Sequence, residues 1–165
     1  MASLVGLNGP DWRQRGPACE PNRLASSRGE PGVSGRHAIR TQNAGGAIAA
    51  YSQGMAGAGL VFTAGNLGVD PATGELVPGG AGPQTARAIA NLAAILDAAG
   101  SSLDRVLKTT VFLVDMADFP AMNESYAAAF PEPYPARTTV AVRALPRDGR
   151  VEIECVALGG EAGAS

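Results

Sequence analysis

From Leu60 onward the apolar positions of the chain follow two alternating periods, one of helices and one of strands. Leu60 to Thr63 reads as a strand running into Gly65-Asn66-Leu67-Gly68. The stretch Asp70-Pro71-Ala72-Thr73-Gly74 then offers a proline's fixed φ near its start and a glycine at its end, the chemistry of a tight turn. Over residues 84–99, Ile89, Leu92, Leu96 and Ala99 step by three, four and three and draw one apolar stripe along a helix. Gly100 supplies its C-terminal stop. Residues 106–114 (VLKTTVFLV) form an unbroken β-rich run, too short and too β-branched for a core helix, which predicts a central strand.

Asp118 is the expected N-cap of a second helix, in which Phe119, Met122, Tyr126 and Phe130 step by three, four and four before Pro131, Pro133 and Pro135 end the pattern. Two strands, 137–145 and 150–158, close the chain as a hairpin around the turn Pro146-Arg147-Asp148-Gly149. Strands, helix, strand, helix and hairpin predict an α+β fold, a mixed sheet with two helices packed on one face. In the last strand Val151, Ile153, Cys155 and Ala157 share a core face, and Glu152, Glu154 and Val156 share the other. In the preceding strand Thr138, Val140, Val142 and Ala144 read as core, with Arg137, Thr139, Ala141 and Arg143 opposite. The second face mixes small apolar and charged groups and suits a subunit interface.

At 165 residues the chain has room for one domain, expected over residues 37–160. Residues 1–36 are rich in Gly, Pro, Ser and Arg without periodicity, and are expected to form a disordered leader; residues 161–165 are expected to form a flexible tail. Residues 1–40 hold six Arg against three acids, whereas residues 41–165 hold seven basic against twelve acidic residues, with Lys108 the single lysine. An acidic body of this kind lacks the basic surface that binds a phosphate backbone, so no nucleic-acid partner is expected. No apolar run reaches membrane-spanning length, and no signal-peptide core precedes Asp11, Arg13 and Arg15. Cys19 and Cys155 form no metal-binding pair. A cytoplasmic protein without metal or organic cofactor is expected.

The single histidine, His37, lies at the edge of the leader, which removes Ser-His-Asp and Cys-His catalysis from consideration. No nucleotide-binding or zinc-hydrolase motif occurs in the folded part, and the glycines at 44–46 and 79–82 read as ordinary turns. A strand-borne Arg and a strand-borne Glu remain. Counted inward from the hairpin turn, Glu152 falls opposite roughly Arg143, so the spacing alone reads as a cross-strand ion pair on a solvated face.

The segments YSQGMAGAGLVFTAGNLGVDPATGEL, QTARAIANLAAILDAAGSSLDRVLKTTVFLVDMADFPAMNESYAAAF and PARTTVAVRALPRDGRVEIECVA resemble, in order and spacing, the reactive intermediate deaminase (RidA/YjgF) family. The resemblance covers about residues 37–158. Its most specific parts are the PAR-[ST]-x-V stretch, the Leu145-Pro146-Arg147 turn and the VEIE strand. It implies the chorismate-mutase-like YjgF fold, a homotrimer with active sites between subunits, and hydrolysis of reactive 2-imino or 2-enamino acids to 2-keto acids and ammonia.

Carried over residue by residue, the resemblance makes Arg137 the anchor of the substrate carboxylate, a role suited to a planar guanidinium. Glu152 becomes the acid beside the attacking water, and Tyr51 an aromatic wall. Asn123, the Ala64–Gly65 segment and the backbone amide of Thr139 become substrate-binding groups. By their own chemistry Tyr51 reads equally as a half-buried packing residue and Asn123 as a polar helix-face residue. Ala64 stands where well-characterised members have Ser, and Thr139 where they often have Cys, which bears on substrate identity more than on reaction class. A small-carboxylate sensor of the same fold is the competing reading, favoured by Ala64. RNA cleavage is a third, opposed by the acidic body.

Overall fold

The computed structural model describes residues 35–47 and 49–160. The expected leader, apart from its last two residues, and the expected tail lie outside these, as do Trp12 and Cys19. β1 (His37–Ile39), β2 (Gly54–Gly57) and β3 (Leu60–Thr63) pair antiparallel in chain order, with Ala58 and Gly59 turning between the last two at φ of 51° and 74°. Then follow β4 (Asn66–Leu67), α1 (Ala81–Ala98), β5 (Val106–Leu113), α2 (Phe119–Ala129), β6 (Ala136–Ala141) and β7 (Val151–Leu158). The sheet order is β1-β2-β3-β7-β5-β6, with β4 also on β7. Among the described strands only β5 and β6 run parallel, so the sheet is mixed and the fold is α+β as expected.

The core is the layer between the sheet and α1 with α2. Ile89, Leu92, Ile95 and Leu96 of α1 and Met122 of α2 are buried against Val111, Leu113, Val151 and Ile153. Fully burying such side chains stabilises by about 1.5–3 kcal/mol each before the entropic cost of ordering them. The end of α1 is set by Gly100 at φ 68°, where Ser101 N–H returns to the Leu96 carbonyl at 2.8 Å. The turn at 70–74 forms as read: Gly74 sits at φ 75°, and the Asp70 side chain accepts from Ala72 N–H at 2.9 Å.

Three expectations are corrected. β6 and β7 are not a hairpin, because β5 lies between them: β6 reaches β5 through α2 and pairs parallel, and β7 pairs on the other side of β5 antiparallel. A β-rich run such as β5 is best served by neighbours on both edges, and β6 and β7 supply them. Glu152 therefore faces Phe112 and Leu67 across its two ladders rather than Arg143, which lies outside the strands.

The faces of β6 are also reversed. Arg137 pairs with Thr109, which pairs with the buried Cys155, so Arg137 and Thr139 belong to the helix face, while Val140 on the open face is 40% exposed. β6 is the edge strand, where the margin of α2 leaves room for a polar side chain beside it. Apolar alternation misleads at such an edge.

Asp118, finally, makes no capping hydrogen bond. Asp115 accepts from Ala117 N–H at 2.9 Å and caps the short turn Met116–Asp118, freeing the Asp118 carboxylate to pair with Arg150 at 2.7 Å.

Candidate functional site

β3 and β4 lie along the same edge of β7 with one residue to spare. The chain advances four positions from Phe62 to Asn66 while their partners retreat three, from Val156 to Ile153. The extra residue makes a bulge at Ala64 and Gly65, and a bulge re-aims the backbone. Here it clears the space that the Glu152 side chain occupies: a Cβ on Gly65 would stand 1.8 Å from Glu152 Oε1 and 2.7 Å from its Cδ. Glycine is required at 65 because a carboxylate lies against its Cα.

Beside this bulge opens a cavity of about 640 Å3, lined by Tyr51, Ala64, Gly65, Leu67, Arg147 and Glu152 among others. Two buried amides hold its walls. Gln53 accepts from Thr41 N–H at 2.8 Å and donates to the carbonyls of Thr41 (3.0 Å) and Gly45 (2.9 Å), and its own carbonyl receives Ala64 N–H at 2.9 Å. It thereby ties the segment carrying Tyr51, itself 49% exposed, to the bulge. Asn91 of α1 donates to the carbonyls of Leu67 (3.2 Å) and Val69 (2.8 Å) and accepts from Arg87. Sequence reading missed both, because a long-range buried amide carries no local periodicity. We expect Gln53→Leu to leave the Thr41 and Gly45 backbone groups without partners, at about 1–3 kcal/mol per buried group. Thermal unfolding should show a clear fall in Tm.

Glu152 is half-buried, and its carboxyl is pushed above the ordinary value, first by burial and then by the neighbouring Glu154. A carboxylate that holds its proton more firmly is a better proton acceptor once ionised. A proton acceptor acts only when ionised, so a reaction that uses it should gain rate as pH rises through the raised value and lose it below. Glu152→Gln should remove that limb of the pH profile. The same shift opposes folding: the folded state favours the proton, so a stability cost appears as pH climbs from the ordinary Glu value through the raised one. Glu152→Gln should therefore melt no lower than wild type at neutral pH.

Arg137 stands elsewhere, on the helix face. Its guanidinium lies 4.5 Å over the Tyr126 ring and 5.5 Å from that of Phe119, and donates to Asn123 Oδ1 at 2.8 Å. The Tyr126 hydroxyl is itself fixed by Thr109 at 2.8 Å. The aromatic cradle and the amide set the plane of the fork, and among the described residues no carboxylate pairs with it. Thr139, two residues along the same face, has a buried hydroxyl with no hydrogen-bond partner among the described residues.

The predicted site residues thus fall into two clusters. Arg137, Asn123 and Thr139 share the helix face, whereas Tyr51, Ala64, Gly65 and Glu152 surround the cavity, Glu152 pointing from the opposite face of the sheet. One copy of the chain does not bring Arg137 to Glu152. His37, in β1, is exposed and does not line the cavity. Cys155 is buried, and burial pushes its thiol up to about 11, which makes it unreactive. Among the described residues no helix is long and apolar enough to cross a membrane.

A mixed sheet with two helices on one face, an open second face and a cavity holding a carboxylate at a strand bulge define the class of protein. Comparison with known proteins places it within that class. The family model described as Endoribonuclease L-PSP matches residues 41–159. The chain is 46% identical over 125 residues to RutC family protein UK114 of Drosophila melanogaster, covering 76% of this chain and 91% of that one. It is 44% identical over 125 residues to the 2-iminobutanoate/2-iminopropanoate deaminase of Capra hircus, with the same coverage of 76% and 91%. Among solved structures, RidA from the Antarctic bacterium Psychrobacter sp. PAMC 21119 superposes with a TM-score of 0.72 at 43% identity, covering 74% of this chain and 98% of that one. E. coli TdcF with bound serine gives a TM-score of 0.71 at 42% identity, covering 74% and 98%. The chain belongs to the reactive intermediate deaminase (RidA) family.

Proposed function

We propose that the chain hydrolyses 2-imino or 2-enamino acids to 2-keto acids and ammonia, as a homotrimer whose sites form between neighbouring copies. The observation that carries this reading is the division of the polar groups. A guanidinium held in plane, with no acid paired to it among the described residues, stands on one face of the sheet, and a proton-avid carboxylate stands at a cavity on the other. Each is half of a site for a molecule carrying a carboxylate next to a hydrolysable C=N bond. Symmetric assembly brings the two halves of different copies together. The open face suits burial in such an assembly: Phe62 and Val140 are 47% and 40% exposed in the single chain. The relatives named 2-iminobutanoate/2-iminopropanoate deaminase support the reaction class.

In the proposed mechanism Arg137 grips the substrate carboxylate through two parallel N–H bonds, with Asn123 and the aromatic cradle holding its plane. That fixes the imine carbon before the Glu152 cavity of the neighbouring copy. Glu152 accepts a proton from water as the water oxygen bonds to the imine carbon. The proton is returned to nitrogen to give a carbinolamine, whose hydroxyl proton then passes to nitrogen as the C–N bond breaks, so that ammonia leaves and a C=O group remains. The Tyr51 ring closes one side. Positioning and proton transfer suffice for such a reactive substrate.

The test is complementation. Arg137→Ala and Glu152→Gln chains should each be inactive towards 2-iminobutanoate, generated in situ by an amino-acid oxidase. Unfolded and refolded together, they should regain activity, because about one quarter of the intersubunit sites then hold both native halves. Mixed trimers as inactive as their parents would overturn the shared site. Wild-type chains that bind 2-ketobutyrate without accelerating imine hydrolysis would favour a sensor.

A further inference from the structure

Arg147 is the basic residue among those lining the Glu152 cavity, and the mechanism above does not use it. It sits in the turn between β6 and β7, where it and Asp148 both adopt left-handed backbone with φ of 57° and 56°. Two successive non-glycine residues in that region are unfavourable, and such conformations are typically retained where side-chain placement matters. The turn sets the Arg147 guanidinium against the 70–74 turn, with Nη1 donating to the Gly74 carbonyl. An arginine has five N–H donors, and among the described residues this one makes no other hydrogen bond and no ion pair. The remaining donors belong to a cavity whose other walls include Leu67, Val69, Pro71 and Pro146.

We propose that Arg147 recognises a second, distal carboxylate, so that the site favours 2-imino dicarboxylates whose second acid lies one or two methylenes beyond the imine carbon. The inference rests on the deaminase reading and deepens it. Arg137 of the neighbouring copy takes the carboxylate next to the C=N bond, and Arg147 takes the far one. The two anchors hold the substrate at both ends, with the imine carbon between them near Glu152. The cavity, at about 640 Å3, has the volume of a site for ligands larger than a four-carbon imino acid. A monocarboxylic imine leaves the Arg147 donors in water, and only the diacid gains from them.

The experiment compares kcat/KM for 2-iminosuccinate and 2-iminobutanoate, both generated in situ, in wild type, Arg147→Met and Arg147→Lys. Wild type should prefer the diacid, and Arg147→Met should lower the ratio of the two values about 30-fold, the loss of one charge-assisted anchor. Arg147→Lys keeps the charge without the fork and should fall between; it carries the test if Arg147→Met does not fold. A ratio within about threefold of wild type overturns the proposal, whether the variants are harmless or lower both activities together through the Gly74 contact. If wild type hydrolyses neither imine, the deaminase reading is what fails, and calorimetric titration with oxaloacetate and 2-ketobutyrate still decides the role of Arg147. Tighter oxaloacetate binding that Arg147→Met abolishes upholds the second anchor, and equal binding removes it.

Discussion

Replacing Arg137 by lysine should abolish imine hydrolysis while leaving the chain folded and assembled. The guanidinium contributes little to the core: it packs on the outer faces of Tyr126 and Phe119 and meets one amide, Asn123. Of its neighbours, Tyr126 keeps its own partner without it, since its hydroxyl is held by Thr109, and Asn123 gives up the bond to Arg137. Lysine keeps the positive charge but offers a point donor on a flexible stem, so it neither stacks on the ring nor grips a carboxylate with two parallel bonds. Truncating one member of a desolvated charge pair costs about 2–5 kcal/mol. In rate that is roughly 30-fold to several-thousand-fold. A purely structural Arg137 would show its loss in Tm and leave turnover near wild type. Steady-state hydrolysis and thermal melting of Arg137→Lys beside wild type separate the two, and near-native turnover would sink the proposed anchor.

Much of the scaffold is written in local pattern. The apolar stripe at Ile89, Leu92 and Leu96 buries as a stripe should, and the β-rich run of β5 lies inside the sheet, paired on both edges. β1, β2 and β4 left no signal because they are two to four residues long, so neither period has room to develop. Their pairing is a tertiary fact. β6 misled in a more instructive way. At an edge strand the residues that look like core, such as Val140, are the exposed ones, and Arg137 turns toward the helices because the margin of α2 supplies rings to stack upon.

The site divides along the same line. The family resemblance named Arg137, Glu152, Tyr51 and Asn123, whereas spacing alone showed neither their roles nor which of them share a face of the sheet. Which face each occupies depends on the insertion of β7 beside β5, a connection between segments far apart in sequence. Gln53 and Asn91, which hold the cavity walls, were silent for the same reason: their partners are backbone carbonyls at Thr41, Gly45, Leu67 and Val69, which carry no sequence identity.

Gly65→Ala should be nearly as damaging as losing Glu152 itself, although it adds a single methyl group. The glycine is not needed for its backbone angles, since Gly65 is absent from the positive-φ glycines of the described chain. It is needed for space: the added carbon would stand 1.8 Å from Glu152 Oε1. The cheapest escape is rotation of the carboxylate, because it is the free end of a flexible side chain, while the bulge backbone is fixed by β7 and by the Gln53 carbonyl. The fold should therefore survive with Glu152 swung aside. A displacement of about 1 Å at a reacting group can lower the rate on the order of 100-fold. Because the injury passes through Glu152, it should not add to Glu152→Gln: the double variant should be no slower than the slower single one, as coupled residues require. The pH limb assigned to Glu152 should vanish from Gly65→Ala too. Turnover within a few fold of wild type, or a double variant slower by the product of the two single effects, would show that the contact between Gly65 and Glu152 is packing without consequence for the reaction.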